Sequence, residues 1–186
     1  MDNLTTIKTL KLRVKDKHTD VLCQMAKNVN LVWNFVNEIS IRSILEHNKF
    51  LSGKELQKYT DGSSKLINLH SQTIQGICDE YATRRVQFKK RKLKWRKSFG
   101  SKRSLGWIPF KSSAVSFKNG QVHFNKHHFS VWDSYGLSQY KFKSGSFNED
   151  ARGRWYFNVV VEVPRTLSSG QGAVGVDLGL SLIHIS

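Results

Sequence analysis

One acidic residue, Asp177, lies in the middle of an otherwise apolar segment, residues 173–179 (AVGVDLG). A carboxylate inside a buried strand is costly unless it meets a cation or a hydrogen-bond donor. A divalent metal is the usual solution, because a carboxylate on a central strand can hold Mg²⁺ for phosphoryl chemistry. The segment therefore predicts Asp177 as a catalytic residue and metal ligand. The alternative is a strand-end aspartate that only begins a turn.

A second group of residues, between Tyr81 and Trp132, is suited to binding phosphates. These 52 residues contain no Asp or Glu and hold 14 Lys and Arg. Such a surface attracts a nucleic-acid backbone of any sequence, mainly because condensed counterions are released. The alternative is a solvated helix face. An anionic membrane fits less well, since the basic run lacks a strong apolar stripe.

The candidate nucleic-acid-binding residues include two that follow the basic run, Trp107 and Lys111. Their side chains could stack on and pair with an RNA strand, although a tryptophan in a strand-rich segment is more often a core residue. The full predicted set is Arg84, Arg85, Lys89, Lys90, Arg91, Lys92, Lys94, Arg96, Lys97, Lys102, Arg103, Trp107 and Lys111.

Length and composition limit the class of protein. The chain has 186 residues, a formal net charge of +16 and 39% hydrophobic residues, which is enough to build a core in one or two domains. No apolar run is long enough to span a bilayer, so we expect a cytoplasmic protein with no membrane partner. Cys23 and Cys78 are far apart, which argues against a disulfide framework and a zinc site.

Periodicity predicts strands first and last, with helices between them. Residues 5–14 alternate as a half-buried strand, and residues 21–39 have helical spacing. Ser52 and Glu55 have the spacing of a capping box and begin a short helix. A third helix is expected from His70 through the basic run to residues 98–101.

The C-terminal half is rich in aromatic residues and strand signals. Residues 115–124 predict a hairpin whose Asn119–Gly120 turn places apolar residues in register. Further strands are expected at residues 129–131, 137–142 and 155–163. The first strand should join this later sheet. The prediction is an α+β fold, an antiparallel barrel interrupted by a helical lobe.

Several segments together resemble the TnpB (OrfB) family of insertion-sequence transposases, which are RNA-guided DNA endonucleases related to type V CRISPR effectors. The resemblance covers residues 5–180. The segments that carry it are Asn30–Asn34 (NLVWN), Ser104–Lys111 (SLGWIPFK), Gly153–Tyr156 (GRWY) and Gly175–Gly179 (GVDLG).

The resemblance implies an oligonucleotide-binding-like wedge barrel, an inserted recognition lobe and the first strand of a RuvC nuclease domain with an RNase H-like fold. Its domain boundaries are 1–16 for the first barrel strand, 17–103 for the helical lobe, 104–166 for the rest of the barrel, 167–172 for a linker, 173–180 for the start of the RuvC domain and 181–186 for a non-native tail.

In this family Asp177 corresponds to the first catalytic carboxylate of a two-Mg²⁺ nuclease. The later carboxylates and a zinc ribbon would lie beyond residue 186, so we expect this polypeptide alone to be inactive. The implied partners are guide RNA and target DNA, and the implied location is the nucleoid of a bacterial cell. Two alternatives stay open: a non-enzymatic basic RNA-binding protein, and a fragment of an actin-like ATPase or sugar kinase, whose phosphate loop also has a Gly-x-Asp-x-Gly pattern.

Overall fold

The structure is a computed structural model, and it describes residues 5–164. Asp177 and its surrounding segment, the linker 167–172 and the tail 181–186 lie outside the described residues. The predictions made for them therefore stay predictions.

Four helices follow the first strand, and their bounds are α1 Thr19–His47, α2 Gly53–Tyr59, α3 Ser63–Leu66 and α4 Ser71–Gln87. Helix α1 is longer than predicted and ends where Asn48 takes a left-handed conformation (φ 49°). The predicted capping box is confirmed, because the Ser52 hydroxyl accepts from the Glu55 N–H and the Glu55 carboxylate accepts from the Ser52 N–H.

Helix α4 ends at Gln87, so the prediction that it continues through the basic run was wrong. Lys89 has φ 50°, and the N–H groups of Lys89 and Lys90 donate to the carbonyls of Val86 and Arg85. This is a Schellman termination with a lysine in the left-handed position. Like charges three and four residues apart would repel each other in a helix over residues 89–97, which favours this early end.

Among the described residues, seven strands form two antiparallel sheets. Their bounds are β1 Thr5–Arg13, β2 Trp107–Phe110, β3 Val115–Lys118, β4 Gln121–Phe124, β5 His127–Ser130, β6 Phe142–Glu149 and β7 Trp155–Pro164. The larger sheet has the order β1-β7-β6-β2 and the smaller one β3-β4-β5. An isolated bridge between Val14 and Val131 joins the two sheets at one corner. The described strands do not close into a barrel.

The predicted association of the first and last strands is confirmed, since β1 pairs with β7 along nine residue pairs. The hairpin prediction is also confirmed. Phe117 pairs with Val122 and Val115 with Phe124, and Asn119 and Gly120 have the positive φ angles of a type I′ turn.

The strand predicted at residues 137–142 was wrong. Residues Leu137–Gln139 form a 3₁₀ turn, and the strand β6 begins only at Phe142. The Asp133 carboxylate accepts hydrogen bonds from the N–H groups of residues 135–137, which favours a turn over an extended chain here. Apolar content alone therefore gave the wrong element.

One hydrophobic core serves the helices and both sheets. Its centre is a group of phenylalanines from both sheets, in which Phe147 lies 5.1–5.4 Å from Phe124, Phe129 and Phe157 (ring centroids). Leu22 and Tyr81 bring α1 and α4 into the same buried cluster. The helical layer therefore packs against the sheets, at the edge that carries β2.

Candidate nucleic-acid interface

Residues 88–106 connect α4 to β2 as an irregular segment, here called the basic segment, which crosses α1. Side chains one turn apart on α1 hold its backbone. Asn34 donates to the Arg96 carbonyl (2.9 Å) and accepts from the Arg96 N–H (2.8 Å). Asn37 donates to the Leu93 carbonyl (2.9 Å), and the Trp33 indole N–H donates to the Lys94 carbonyl (3.2 Å). The side-chain amides of Asn34 and Asn37 therefore form the hydrogen bonds to the backbone of this segment that a neighbouring strand would otherwise form.

This clamp fixes which side chains of the basic segment face solvent. Leu93 points into the core, whereas Lys92, Lys94 and Lys97 are exposed. They line an open groove of about 930 Å³ between the end of α4, the basic segment and β2. The groove is lined by Trp33, Glu80, Arg84, Phe88, Lys90, Lys92, Leu93, Lys94, Trp95, Arg96, Lys97, Lys102, Ser104, Trp107 and Asn148.

The groove is strongly cationic: the side chains of residues 5–164 that line it include seven basic ones and one carboxylate, that of Glu80. Arg84 pairs with that carboxylate at 2.6 Å. Within residues 5–164, none of the other six has a carboxylate within 4 Å. These six are Lys90, Lys92, Lys94, Arg96, Lys97 and Lys102. A surface of this kind concentrates polyanions.

Arg96 differs from the lysines because its guanidinium is held in place. Its Nε donates to the Asn30 amide oxygen and its Nη2 to the Leu105 carbonyl, both at 2.6 Å. The guanidinium lies over the Trp107 ring, 5.7 Å from its centroid. Burial lowers the pKa of Arg96 from its usual value, because the charged form has lost part of its hydration. The groove therefore contains one preorganised cation beside several exposed lysines.

Arg85 lies outside this surface, although the sequence places it in the same basic run. Only 3% of it is exposed, and it donates to the Ser40 hydroxyl (2.5 Å) and the Leu51 carbonyl (2.6 Å). It connects α4 to α1 and to the loop before α2. Its burial removes it from the predicted set of nucleic-acid contacts.

Two further predicted contacts have carboxylate partners outside the groove. Arg103 forms two 2.6 Å hydrogen bonds to Glu149, whose side chain is almost completely buried. These bonds hold the pKa of Glu149 below its usual value. Lys111 pairs with Asp79 at 3.2 Å. Lys89 and Arg91 are exposed beside the groove without lining it.

Trp107, predicted as a stacking residue, is half-buried at the base of the groove. Its ring meets Trp33 edge to face at 6.1 Å, and Arg96 covers it from the other direction. The preceding Gly106 is packed so closely that a Cβ atom there would lie 2.2 Å from the Trp155 ring. Gly106 and Trp107 therefore anchor the end of the basic segment to the larger sheet.

No cluster of three or more His, Cys, Asp or Glu that could hold a metal occurs within residues 5–164. The metal predicted at Asp177 belongs to a residue outside this range. In the same range no helix is long and apolar enough to cross a membrane.

No protein-family model matches the chain, and a search of curated proteins finds no significant match.

Sequence reasoning missed the residues that shape the groove. Asn30, Asn34 and Asn37 were not singled out as functional, although all three lie on one side of α1 at helical spacing. A signal was present, because an asparagine on the apolar side of a helix needs a buried hydrogen-bond partner. What the sequence lacked was any indication that the partner would be the basic segment about 60 residues later.

Proposed function

We propose that the groove binds the phosphate backbone of a nucleic acid. The observation that supports this proposal is the ratio of seven basic side chains to one carboxylate along a single open groove. Six of these cations have no carboxylate within 4 Å in the described residues, so bound phosphates would have to displace only water and counterions. Binding of this kind is independent of base sequence and sensitive to salt.

We further propose that the chain is the N-terminal region of an RNA-guided DNA endonuclease of the TnpB (OrfB) type. The support is the resemblance of its segments, together with a fold in which helices are inserted between the first strand and the rest of an antiparallel sheet. In this proposal the two sheets correspond to the wedge domain and the helices to the recognition lobe. Asp177 is then the first Mg²⁺-binding carboxylate of a RuvC domain, and the guide RNA supplies sequence specificity.

The binding proposal is tested with a triple variant, Lys90→Ala, Lys92→Ala and Lys94→Ala. We expect its affinity for a 20-nucleotide single-stranded RNA to fall on the order of tenfold or more at 100 mM salt. The slope of log K against log salt should fall by up to about 2, since each lost phosphate contact accounts for about 0.7. Fluorescence anisotropy at several salt concentrations measures both.

The matched control removes three exposed lysines that do not line the groove, Lys58, Lys65 and Lys118. It changes the net charge equally, so a general charge effect would weaken both variants alike. If the two triple variants bind RNA with equal affinity, the groove is not the binding surface.

The family proposal is tested at the locus itself. We expect the genomic reading frame to continue beyond codon 180 with two more acidic residues at RuvC positions and a pair of CxxC motifs. The complete gene product should cut DNA in a guide-dependent reaction with Mg²⁺, and Asp177→Ala should abolish the cleavage. The family proposal would be contradicted by a genomic reading frame that ends in a stop codon without these motifs, or by cleavage that survives Asp177→Ala.

A further inference from the structure

Four aromatic side chains line the groove, and they fall into two pairs. Trp33 is 8% exposed and packs edge to face on Tyr81 and Trp107. Trp107 is half-buried and already packs against Trp33 and Arg96. By contrast, Trp95 is 46% exposed and Phe88 is 54% exposed. The second pair therefore presents aromatic surface to the groove that the core does not use.

Exposed aromatic rings beside unpaired cations suit a ligand with both flat apolar faces and negative charge. Unpaired nucleotides have this combination, because each carries one phosphate and one base with free faces. Stacking of a base on an aromatic side chain stabilises single-strand binding by about 1–3 kcal/mol. A duplex offers the same phosphates, but its base faces are already stacked on each other. It could therefore use the lysines and leave Trp95 and Phe88 without a partner.

Arg96 gives the groove a fixed position for one phosphate. Its Nε and Nη2 are engaged by Asn30 and Leu105, so Nη1 is the nitrogen that forms no hydrogen bond within residues 5–164. Because the guanidinium is already held by these bonds and by Trp107, little side-chain entropy would be lost on binding. A phosphate here would also supply the anion that this half-buried cation lacks among the described residues.

We infer that the groove selects unpaired nucleotides over duplex, with bases stacked on Trp95 and Phe88 and a phosphate bound at Arg96. This inference rests on the proposed binding of nucleic acid by the groove. It differs from that proposal in assigning the selectivity to the aromatic side chains, whereas the affinity for any polyanion comes from the lysines.

The test compares six probes on the full chain. Four are nucleic acids: a 12-nucleotide single-stranded RNA, the DNA strand of the same sequence, and the duplex of each. The other two are heparin, a polyanion without bases, and poly-glutamate, an acidic peptide. We expect the wild-type chain to bind at least one single strand more tightly than its duplex. If single-stranded RNA binds more tightly than single-stranded DNA, the groove is assigned to RNA; if single-stranded DNA binds more tightly, it is assigned to DNA.

The decisive variants are Trp95→Ala and Phe88→Ala. Each should weaken single-strand binding by about 5- to 140-fold, which is the stacking range above converted at 1.4 kcal/mol per factor of ten. Duplex and heparin binding should change by less than about twofold. Trp95→Phe should retain most of the affinity. Trp132→Ala is the matched control, because Trp132 is 64% exposed but lies outside the groove; it should bind like the wild type.

The experiments distinguish failure of this inference from failure of the proposed function. If the lysine triple variant loses affinity while Trp95→Ala and Phe88→Ala bind the single strand normally, the groove binds nucleic acid as proposed but the inference about unpaired nucleotides is wrong. The inference is also wrong if both aromatic variants lose duplex and heparin binding to the same extent. Binding of poly-glutamate as tightly as single-stranded RNA would assign the groove to acidic peptides. Indifference to the lysine triple variant would overturn the function itself.

Discussion

The basic residues of this chain have different tasks, although they are adjacent in sequence. Arg85 and Arg96 connect elements through hydrogen bonds to neutral oxygens, and Arg103 compensates a buried carboxylate. The lysines of the basic segment have exposed side chains without carboxylate partners in the described residues. Arginine suits the first role because its planar group donates in several directions at once. Charge counting along the sequence cannot separate these roles.

Substitution of Arg103 tests its structural role. Arg103→Gln leaves the Glu149 carboxylate buried with the Gly106 N–H as its remaining described donor. We expect the free energy of unfolding at pH 7 to fall by about 1–2 kcal/mol, at the low end for a broken buried pair because Arg103 is partly exposed. Urea unfolding measures it. Arg152→Gln, at an exposed arginine in the turn that follows Glu149, should change stability by less than about 0.5 kcal/mol.

The same pair predicts an acid dependence. The pKa of Glu149 is lowered in the folded state, so its contribution is complete above the usual pKa and is lost as pH falls through the folded value. The difference in free energy of unfolding between the wild type and Arg103→Gln should therefore decrease as the pH is lowered from 5 to 3. A gap that stays constant over this range would show that the pair does not control the pKa of Glu149.

At the scale of single elements, the end of α4 determines the shape of the candidate site. Were the helix to continue past Gln87, the basic side chains would be distributed around it. The left-handed residue Lys89 instead turns the chain back across α1. Lys89→Gly should raise the free energy of unfolding by about 0.5–1 kcal/mol, because glycine adopts positive φ without the steric cost. Thermal and urea unfolding measure the change.

The neighbouring lysine supplies the control for this prediction. Lys90 does not have a positive φ, so Lys90→Gly adds backbone entropy to the unfolded chain without relieving strain and should be neutral or destabilising. Equal effects of the two substitutions would contradict the assigned helix termination.

A hydrogen bond between the start of α1 and the end of β5 should make the stability of the protein depend on pH. His18, just before α1, accepts a hydrogen bond from the Ser130 N–H at Nε2 (2.9 Å), which requires neutral imidazole. Burial lowers the pKa of His18. Its contribution to stability is therefore complete above about pH 6.5, the usual histidine value, and is lost as pH falls through the lower folded value.

A substitution that removes the titrating group at position 18 tests this pH dependence. His18→Gln retains an acceptor for the Ser130 N–H but does not titrate, so stability should vary less between pH 7 and pH 5 than in the wild type. Denaturant unfolding at each pH measures this. His47→Gln is the control, because His47 is exposed at the end of α1; the wild-type pH dependence should persist in it.

How far the sequence predicted these elements depended on how local the determining interactions were. The Asn119–Gly120 turn and the Ser52–Glu55 capping box lie within a few residues and were predicted correctly. The end of α4 depends on a lysine in a glycine position, for which the sequence gives no direct sign. Strand β6 contains Gly145 and few apolar residues, so its pattern was too weak to identify. The asparagine clamp joins segments about 60 residues apart and could not be predicted from spacing.

At the scale of the whole molecule, the helices and both sheets share one core, so we expect them to unfold together. Phe147 is fully buried and contacts rings from both sheets. Phe147→Ala should lower the free energy of unfolding by about 3–5 kcal/mol. In each protein, wild type or variant, far-UV circular dichroism and tryptophan fluorescence should give one common urea midpoint. The midpoint of the variant should be lower than that of the wild type. Separate midpoints for the two signals would show that the helical layer is an independent unit.

The pairing of β1 with β7 also affects how the protein is made. About 140 residues separate the end of β1 from the start of β7. At 5–20 residues per second, a ribosome needs about 7–30 s to synthesise that stretch. During this time the first strand has left the exit tunnel without its partner, and its hydrogen-bonding edge and apolar side are open to other chains. Nascent copies on one messenger RNA are therefore exposed to wrong pairing at Leu10 and Leu12, and a chaperone that shields extended apolar segments should raise the yield of folded protein.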